Sequence, residues 1–242
     1  MVTPNETTSA ETIRESLLTT GTSRRPSTTA YLLYYLAHKR LGTVGFSIVV
    51  LMVAIAIFAP LIAPYTYQEQ NYEAIRQAPN LDYFFGTDQF GRDIFSRVVH
   101  GARISMLVGF LAVLVGTGAG AFVGLVSGYF MGKLDNVVQR LVDMWMSFPD
   151  LILALTIVAV FGNTIPNVIL AIAATILPRG VRIIRSSTIS IREMDYTLAA
   201  RSIGASDLRI MLRHVMPNTL APFLIIMSSM FGNAILTEAG LS

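Results

Sequence analysis

The stretch ISMLVGFLAVLVGTGAGAFVGLVSGYFMG, residues 104–132, carries no charged side chain. It exceeds the roughly 20 apolar residues that an α-helix needs to cross a bilayer. Within it Gly116, Gly120, Gly124, Gly128 and Gly132 recur at every fourth position. That spacing lays them along one slowly drifting stripe of a helix, where a second helix can pack backbone to backbone. Glycine is common in membrane helices generally, but five in register predict a close helix pair.

Other uncharged stretches lie on either side. Residues 41–68, with their apolar part at 44–63, form the first span, behind Lys39 and Arg40. Residues 151–178 are also uncharged, but the turn-like run Gly162-Asn163-Thr164-Ile165-Pro166-Asn167 divides them. Each half is too short to cross alone. The third span is therefore predicted to reach back through the amphipathic stretch 135–149 with a kink at Pro149, and the fourth to run from Pro166 to about Ile184. Residues 215–237 supply a fifth span, with Pro217 and Pro222 near its start. The fold class is all-α, a polytopic transmembrane helical bundle with five predicted spans. Three regions follow: a polar tail, 1–40, lacking the apolar core of a signal peptide; residues 41–103, the first span and a polar segment; and 104–242, the main transmembrane domain.

Composition supports a membrane protein. Apolar residues make up 53% of the chain and charged residues 14%, against roughly 25% charged in soluble domains. The absence of cysteine excludes disulfides, thiolate zinc sites and a cysteine nucleophile. A net charge of +3 invites a nucleic-acid reading, but the placement of the basic residues rejects it. With the amino end cytoplasmic, fourteen Lys and Arg fall on the cytoplasmic side and four, Arg76, Arg92, Arg97 and Arg103, on the other. This is the asymmetry that orients membrane proteins. No interleaving of aromatic and basic residues of the kind that stacks bases accompanies it.

Catalysis finds little support. His38, His100 and His214 fall in separate segments, and neither HExxH nor GxSxG occurs. The run GYFMGKL, 128–134, lacks the GxxxxGK[ST] spacing of a phosphate loop. No metal, no cofactor and no ATP hydrolysis are expected of this chain.

The segment REMDYTLAARSIGASDLRIMLRHVMPN, residues 192–218, reads as two short helices. Asp195 can cap the first, with Tyr196, Ala199, Ala200 and Ile203 on its apolar positions, and Gly204 suits the left-handed residue after it. Ser206 can cap the second, where Leu208, Met211, Leu212 and Val215 form a stripe opposite Arg209 and Arg213, and Pro217 is expected to end it. Such a helix-turn-helix fits a groove on another protein.

This run resembles the EAA loop of ABC-importer permeases, with Leu198-Ala199-Ala200, Gly204 and Pro217 at the family's spacing. Leu198 replaces the usual glutamate and His214 the usual isoleucine. Docking would then lean on shape and on Asp207, Arg209 and Arg213. A second run, Phe85-Gly86-Thr87-Asp88-Gln89-Phe90-Gly91-Arg92-Asp93 with Ser96-Arg97 and 101–105, resembles dipeptide, oligopeptide and nickel importer permeases of the OppC/DppC type. So does Asp143 with Phe148-Pro149 and residues 151–155. The resemblance implies a type I, MetI-like permease of the bacterial inner membrane that carries short peptides or a similar small solute. It also implies four companions: a second related permease, two ATPase subunits that use the ATP, and an extracytoplasmic solute-binding protein.

Asp88, Arg92, Asp93 and Arg97 could pair at helical spacing and cap an outer gate, or could form a solvated amphipathic helix. Asp150, with Asp143 below it, is expected either to line the translocation path near its cytoplasmic end or, after Pro149, to cap a helix. Arg179, Arg182 and Arg185 are expected at lipid headgroups. Two other classes remain open: a non-transporting membrane scaffold or defective permease fragment, and an intramembrane hydrolase using Asp143 or Asp150. Permeases of this kind continue into a sixth span, so a shortened chain is expected.

Overall fold

The computed structural model describes residues 40–241. Residues 1–39 of the polar tail, His38 among them, lie outside the described part. Two compact units divide between residues 51 and 52. The described part of the first is the opening half of helix α1 (Arg40–Ile62), whose apolar composition makes it a candidate span. The second unit holds the rest of α1 and all other elements.

After α1 a polar segment, with one 3-10 turn at Tyr72–Ala74, leads to α2 (Ile94–Phe130). The helix begins about ten residues before the uncharged stretch does. Asp93 starts it: its Oδ2 accepts from the Ser96 N–H at 2.8 Å, satisfying one of the free donors of the first turn. At the other end Met131 and Gly132 take φ of +55° and +65°, a reversal that begins α3 (Gly132–Met146). Helix α4 (Asp150–Phe161) follows, then α5 (Ile165–Arg192). Two short helices, α6 (Asp195–Ser202) and α7 (Asp207–Ile210), precede a π-helical turn at Met211–Val215 and α8 (Met216–Leu241).

The glycine stripe does what its spacing predicts at four of five positions. A Cβ on Gly116, Gly120, Gly124 or Gly128 would lie 2.6, 2.6, 2.5 and 2.8 Å from the carbonyl oxygens of Ala173, Leu177, Val181 and Arg185. Both series ascend in steps of four, so α2 and α5 run parallel with their backbones in contact. Gly132 is the exception. It has open space around it and serves the turn, where a positive φ is needed.

The third span is not a kinked helix. Helices α3 and α4 meet at 86°, because the residue before a proline is driven out of the α region; the Ser147 and Phe148 N–H groups close the end of α3 on the Met144 and Trp145 carbonyls. Helix α4 has 12 residues, about 18 Å, short of the ~30 Å hydrocarbon core. The pair nonetheless carries the chain across. Asp135 sits against Ser127 at one end of α2, whereas Asn163 shares a small cavity with Ile104 and Val108 at the other, about 35 Å away along the helix. Counting the bent pair as one, the described residues hold five candidate spans.

Pro217 does not end a helix. The chain from Asp207 to Leu241 is one candidate span of 35 residues, and the wide turn before Pro217 explains how. A proline lacks an N–H and crowds the carbonyl four residues back. Here the Met216 N–H reaches five residues back to the Met211 carbonyl, and Asn218 Nδ2 donates to the His214 carbonyl at 2.6 Å.

Candidate functional site

Two sets of side chains at the Tyr129 end of α2 hold the chemistry expected from the sequence. The first lies along α5. Arg179, Arg182 and Arg185 occupy neighbouring turns of the helix, and each grips a different aspartate: Asp150 at 2.6 Å, Asp143 at 2.5 Å and Asp135 at 2.5 Å. The three aspartates belong to the broken pair, α4 and α3. From Asp135 to Asp143 the chain rises about 12 Å along α3, but the paired arginines are only about 4.5 Å apart along α5, so α3 crosses α5 obliquely. These arginines were expected at headgroups; they instead bind the bent pair to α5. Asp150 and Asp143, expected along a path, remain half-exposed on one side of these pairs. Asp150 borders a small cavity with Trp145, Leu153, Thr175 and Pro178.

Asp135 is the deepest of the three, and sequence reasoning passed over it. Its side chain is 6% exposed. One oxygen accepts from Arg185 Nε and from Ser127 Oγ, and the other from Arg185 Nη2. The two-pronged geometry satisfies a buried carboxylate that would otherwise be costly. The signal available was the i, i+3, i+6 spacing of the arginines, which matches no headgroup requirement and does put three charges on one face.

The second set is the helix pair α6–α7. Gly204 has φ +82° and donates to the Arg201 carbonyl, while Ala205 donates to Ala200, as a left-handed helix stop requires. Asp195 and Ser206 stand at helix starts, but neither side chain makes a capping bond; the N-cap of α6 is Met194. Ala200, Ile210, Met211 and Val215 are buried with Leu125, Tyr129, Ile184 and Ile191, so the pair is packed onto the ends of α2 and α5. The stripe expected on the second helix is thus corrected: Met211 and Val215 face the core, whereas Leu208 and Leu212 are exposed. With Leu198 and Ile203, the latter 86% exposed, they leave an apolar outer face that Arg209 and Arg213 flank in sequence, both exposed. Ala199 is exposed beside the corner, and Ala200 is buried under it.

Tyr129 ties this set to α2. Its hydroxyl donates to Asp207 Oδ1 at 2.7 Å, and Arg192 stacks over its ring, 5.8 Å from the centroid. Asp207 is therefore engaged inward, not only outward as expected. Nothing in the sequence joins residues 129 and 207 except an aromatic at a helix end.

At the far end, Asp88, Arg92, Asp93 and Arg97 do not form a helical row. Asp88 lies in a tight turn, where Oδ1 accepts from the N–H groups of Phe90 and Arg92 and Oδ2 holds Arg92 and Arg97. Burial alone would push the Asp88 carboxyl up, but those N–H groups and the Arg92 guanidinium outweigh it and hold it below the usual carboxylate range. Asp93 is in no ion pair among the described residues and caps α2 instead. Gly91, at φ +71°, permits the turn: a Cβ there would sit 1.9 Å from the Asn71 carbonyl oxygen. His100 packs beside Tyr67 and His214 beside Tyr196, at opposite ends of the spans.

Comparison with known proteins agrees with this architecture. Residues 120–242 match the binding-protein-dependent transport system inner membrane component family, and residues 27–79 the N-terminal transmembrane domain of oligopeptide transport permease C. The chain is 41% identical over 206 residues to the dipeptide transport system permease protein DppC of Alkalihalophilus pseudofirmus, covering 85% of this chain and 68% of that one. It is 40% identical to the glutathione transport system permease protein GsiD of Escherichia coli O157:H7, covering 80% and 64%. It is 39% identical to a putative peptide transport system permease protein of Brucella suis, covering 86% and 70%. The chain thus spans about two thirds of the length of these relatives. With its apolar helices and its loop of two short helices, it belongs to the inner membrane components of binding-protein-dependent transport systems, as a multi-pass permease of the OppC/DppC type.

Proposed function

We propose that this chain forms part of the membrane pathway of an ATP-driven importer for short peptides or a related small solute. One of two ATPase subunits would dock on the α6–α7 face, a second related permease would complete the path and receive the other on its own loop, and an extracytoplasmic protein would deliver solute. The amino terminus and the Tyr129 end are then cytoplasmic. The relatives' names, dipeptide, glutathione and peptide transport permeases, support the solute class.

One observation carries the mechanism. The α6–α7 pair is buried against α2 and α5 and continues without interruption into α8, while its outer face stays apolar and open. Force applied to that face by a closing ATPase dimer moves the ends of three spans together, and so biases the path between two access states. Asp207, held by Tyr129, transmits the motion to α2, while Leu198, Arg209 and Arg213 meet the partner. Asp150 and Asp143 border the path, where their arginines hold them in place. That pairing leaves neither carboxylate free as a general base, which weighs against the hydrolase reading.

Gly204→Val tests the coupling. Open space surrounds this residue, so the cost lies in the φ of +82°, about 1–2 kcal/mol for a side chain in that region. ATPase subunits should still co-purify with the variant, while uptake per ATP hydrolysed should fall. Uptake at the wild-type ratio would overturn the coupling role, and absence of ATPase subunits from the wild-type preparation would favour a scaffold. An Asp150→Ala variant that transports at the wild-type rate would remove Asp150 from the path.

A further inference from the structure

Between α1 and α2 the polar segment encloses a cleft of about 450 Å³. Three carboxylic acids line it, Glu69, Glu73 and Asp93, and no lysine or arginine does. Among the described residues none of the three is in an ion pair. Tyr65 and Tyr83 add an aromatic wall, their rings stacked with centroids 5.3 Å apart. Asn71 is fixed beside Tyr83, accepting from the Glu73 N–H and donating to the Tyr83 hydroxyl.

Asp93 supplies an independent sign. The residue is 3% exposed, its Oδ2 is taken by the Ser96 N–H, and its Oδ1 has no hydrogen-bond partner. An unmatched buried carboxylate oxygen is costly, and this one belongs to a residue lining an acidic cleft. A metal ion fits poorly, since among the described residues no three acids or histidines are grouped tightly enough to hold one. An organic cation fits well. An ammonium carries three donors that acids spread around a cleft can share, and tyrosine faces attract it.

We propose that this cleft binds the protonated amine of a small solute, such as the amino terminus of a short peptide. Glu73 and Glu69 meet the charge, Asp93 supplies a buried acceptor, and Tyr65 with Tyr83 covers the adjoining carbon atoms. The volume exceeds what a lone lysine tip would fill, which favours a free solute over a side chain of a docking protein. The placement of the cleft on the face where solute arrives rests on the orientation proposed above; its chemistry does not.

Binding measured on the full chain in lipid nanodiscs tests this apart from transport. Three probes are compared by saturation-transfer NMR: L-alanyl-L-alanine, N-acetyl-L-alanyl-L-alanine and Nα-acetyl-L-lysine N-methylamide. The free dipeptide should bind at least about tenfold more tightly than its acetylated form, the scale of one charged hydrogen bond. Glu69→Gln/Glu73→Gln should remove that advantage. Asp93→Asn, whose amide oxygen can still cap α2, should reduce it with the fold intact by circular dichroism. Equal binding of free and acetylated dipeptide, or an advantage unchanged in the double variant, would overturn the proposal. Tighter binding of the lysine derivative than of the dipeptide would overturn the solute assignment in favour of a docking side chain.

Discussion

Helix α5 is held on two sides by opposite means. Towards α2 it presents bare backbone: four glycines let carbonyl oxygens of α5 approach within van der Waals distance of the α2 main chain. Towards α3 and α4 it presents three arginines, each on its own aspartate. The first contact has short range and little tolerance, because backbone atoms cannot step aside. The second has long, pivoting side chains, whose pairs survive a shift of an ångström or two. The contrast suggests which seam moves: α2 and α5 travel as one body, and the bent pair swings against them.

Substitutions on each seam should separate the two. Gly124→Leu would drive a side chain into the Val181 carbonyl and the Arg185 nitrogen, both backbone atoms. It should cost about 4 kcal/mol or more, seen as loss of the folded species in a thermal melt in detergent. Near-normal melting would show the seam to be pliable. Asp135→Asn leaves Arg185 beside a neutral partner in the most buried of the three pairs, and a loss of about 2–3 kcal/mol is expected.

Asp143→Asn removes a pair whose side chains are 48% and 60% exposed. If that exposure is to water, screening limits the loss to about 1 kcal/mol. A much larger loss would mean that the pair faces lipid, and the pivot would then be stiffer than described. Asp88→Asn is the reference in the polar segment, because the amide keeps the Oδ1 acceptor of the turn and gives up the charge and the partly exposed Oδ2 pairs with Arg92 and Arg97; about 0.5 kcal/mol is expected at neutral pH. The Asp88 carboxyl is held below its ordinary value. Its contribution is therefore whole above the unfolded carboxylate range and lost as pH falls through the lowered folded value. An acid titration followed by tyrosine fluorescence should show a step that the variant lacks.

Much of the first seam was legible in the sequence, since a four-residue glycine repeat has one geometric meaning on a helix. The failure at Gly132 was not legible, because periodicity continues through a residue that has left the helix. The second seam was opaque for another reason. Arg182 and Asp143 are 39 residues apart, Arg185 and Asp135 50, and no local pattern reports a distance between segments whose relative tilt is unknown. The 86° break hid the tilt, because a proline permits either a kink or a stop. In the α6–α7 pair the turn at Gly204 was readable, whereas the buried face was assigned to a regular helical period that the wide turn at Met211–Val215 interrupts.

That wide turn has a geometric consequence. A π turn holds one more residue than the α turn it replaces, and one residue of helix corresponds to about 100° of rotation and 1.5 Å of advance. The azimuth of α7 about the axis of α8 is therefore set by a single inserted residue. Shortening 211–215 by one residue would rotate Leu208 and Arg209 by more than a quarter of a circle while leaving the span itself unchanged. The direction in which this protein points its outer loop is a discrete quantity, counted in residues of one helical turn.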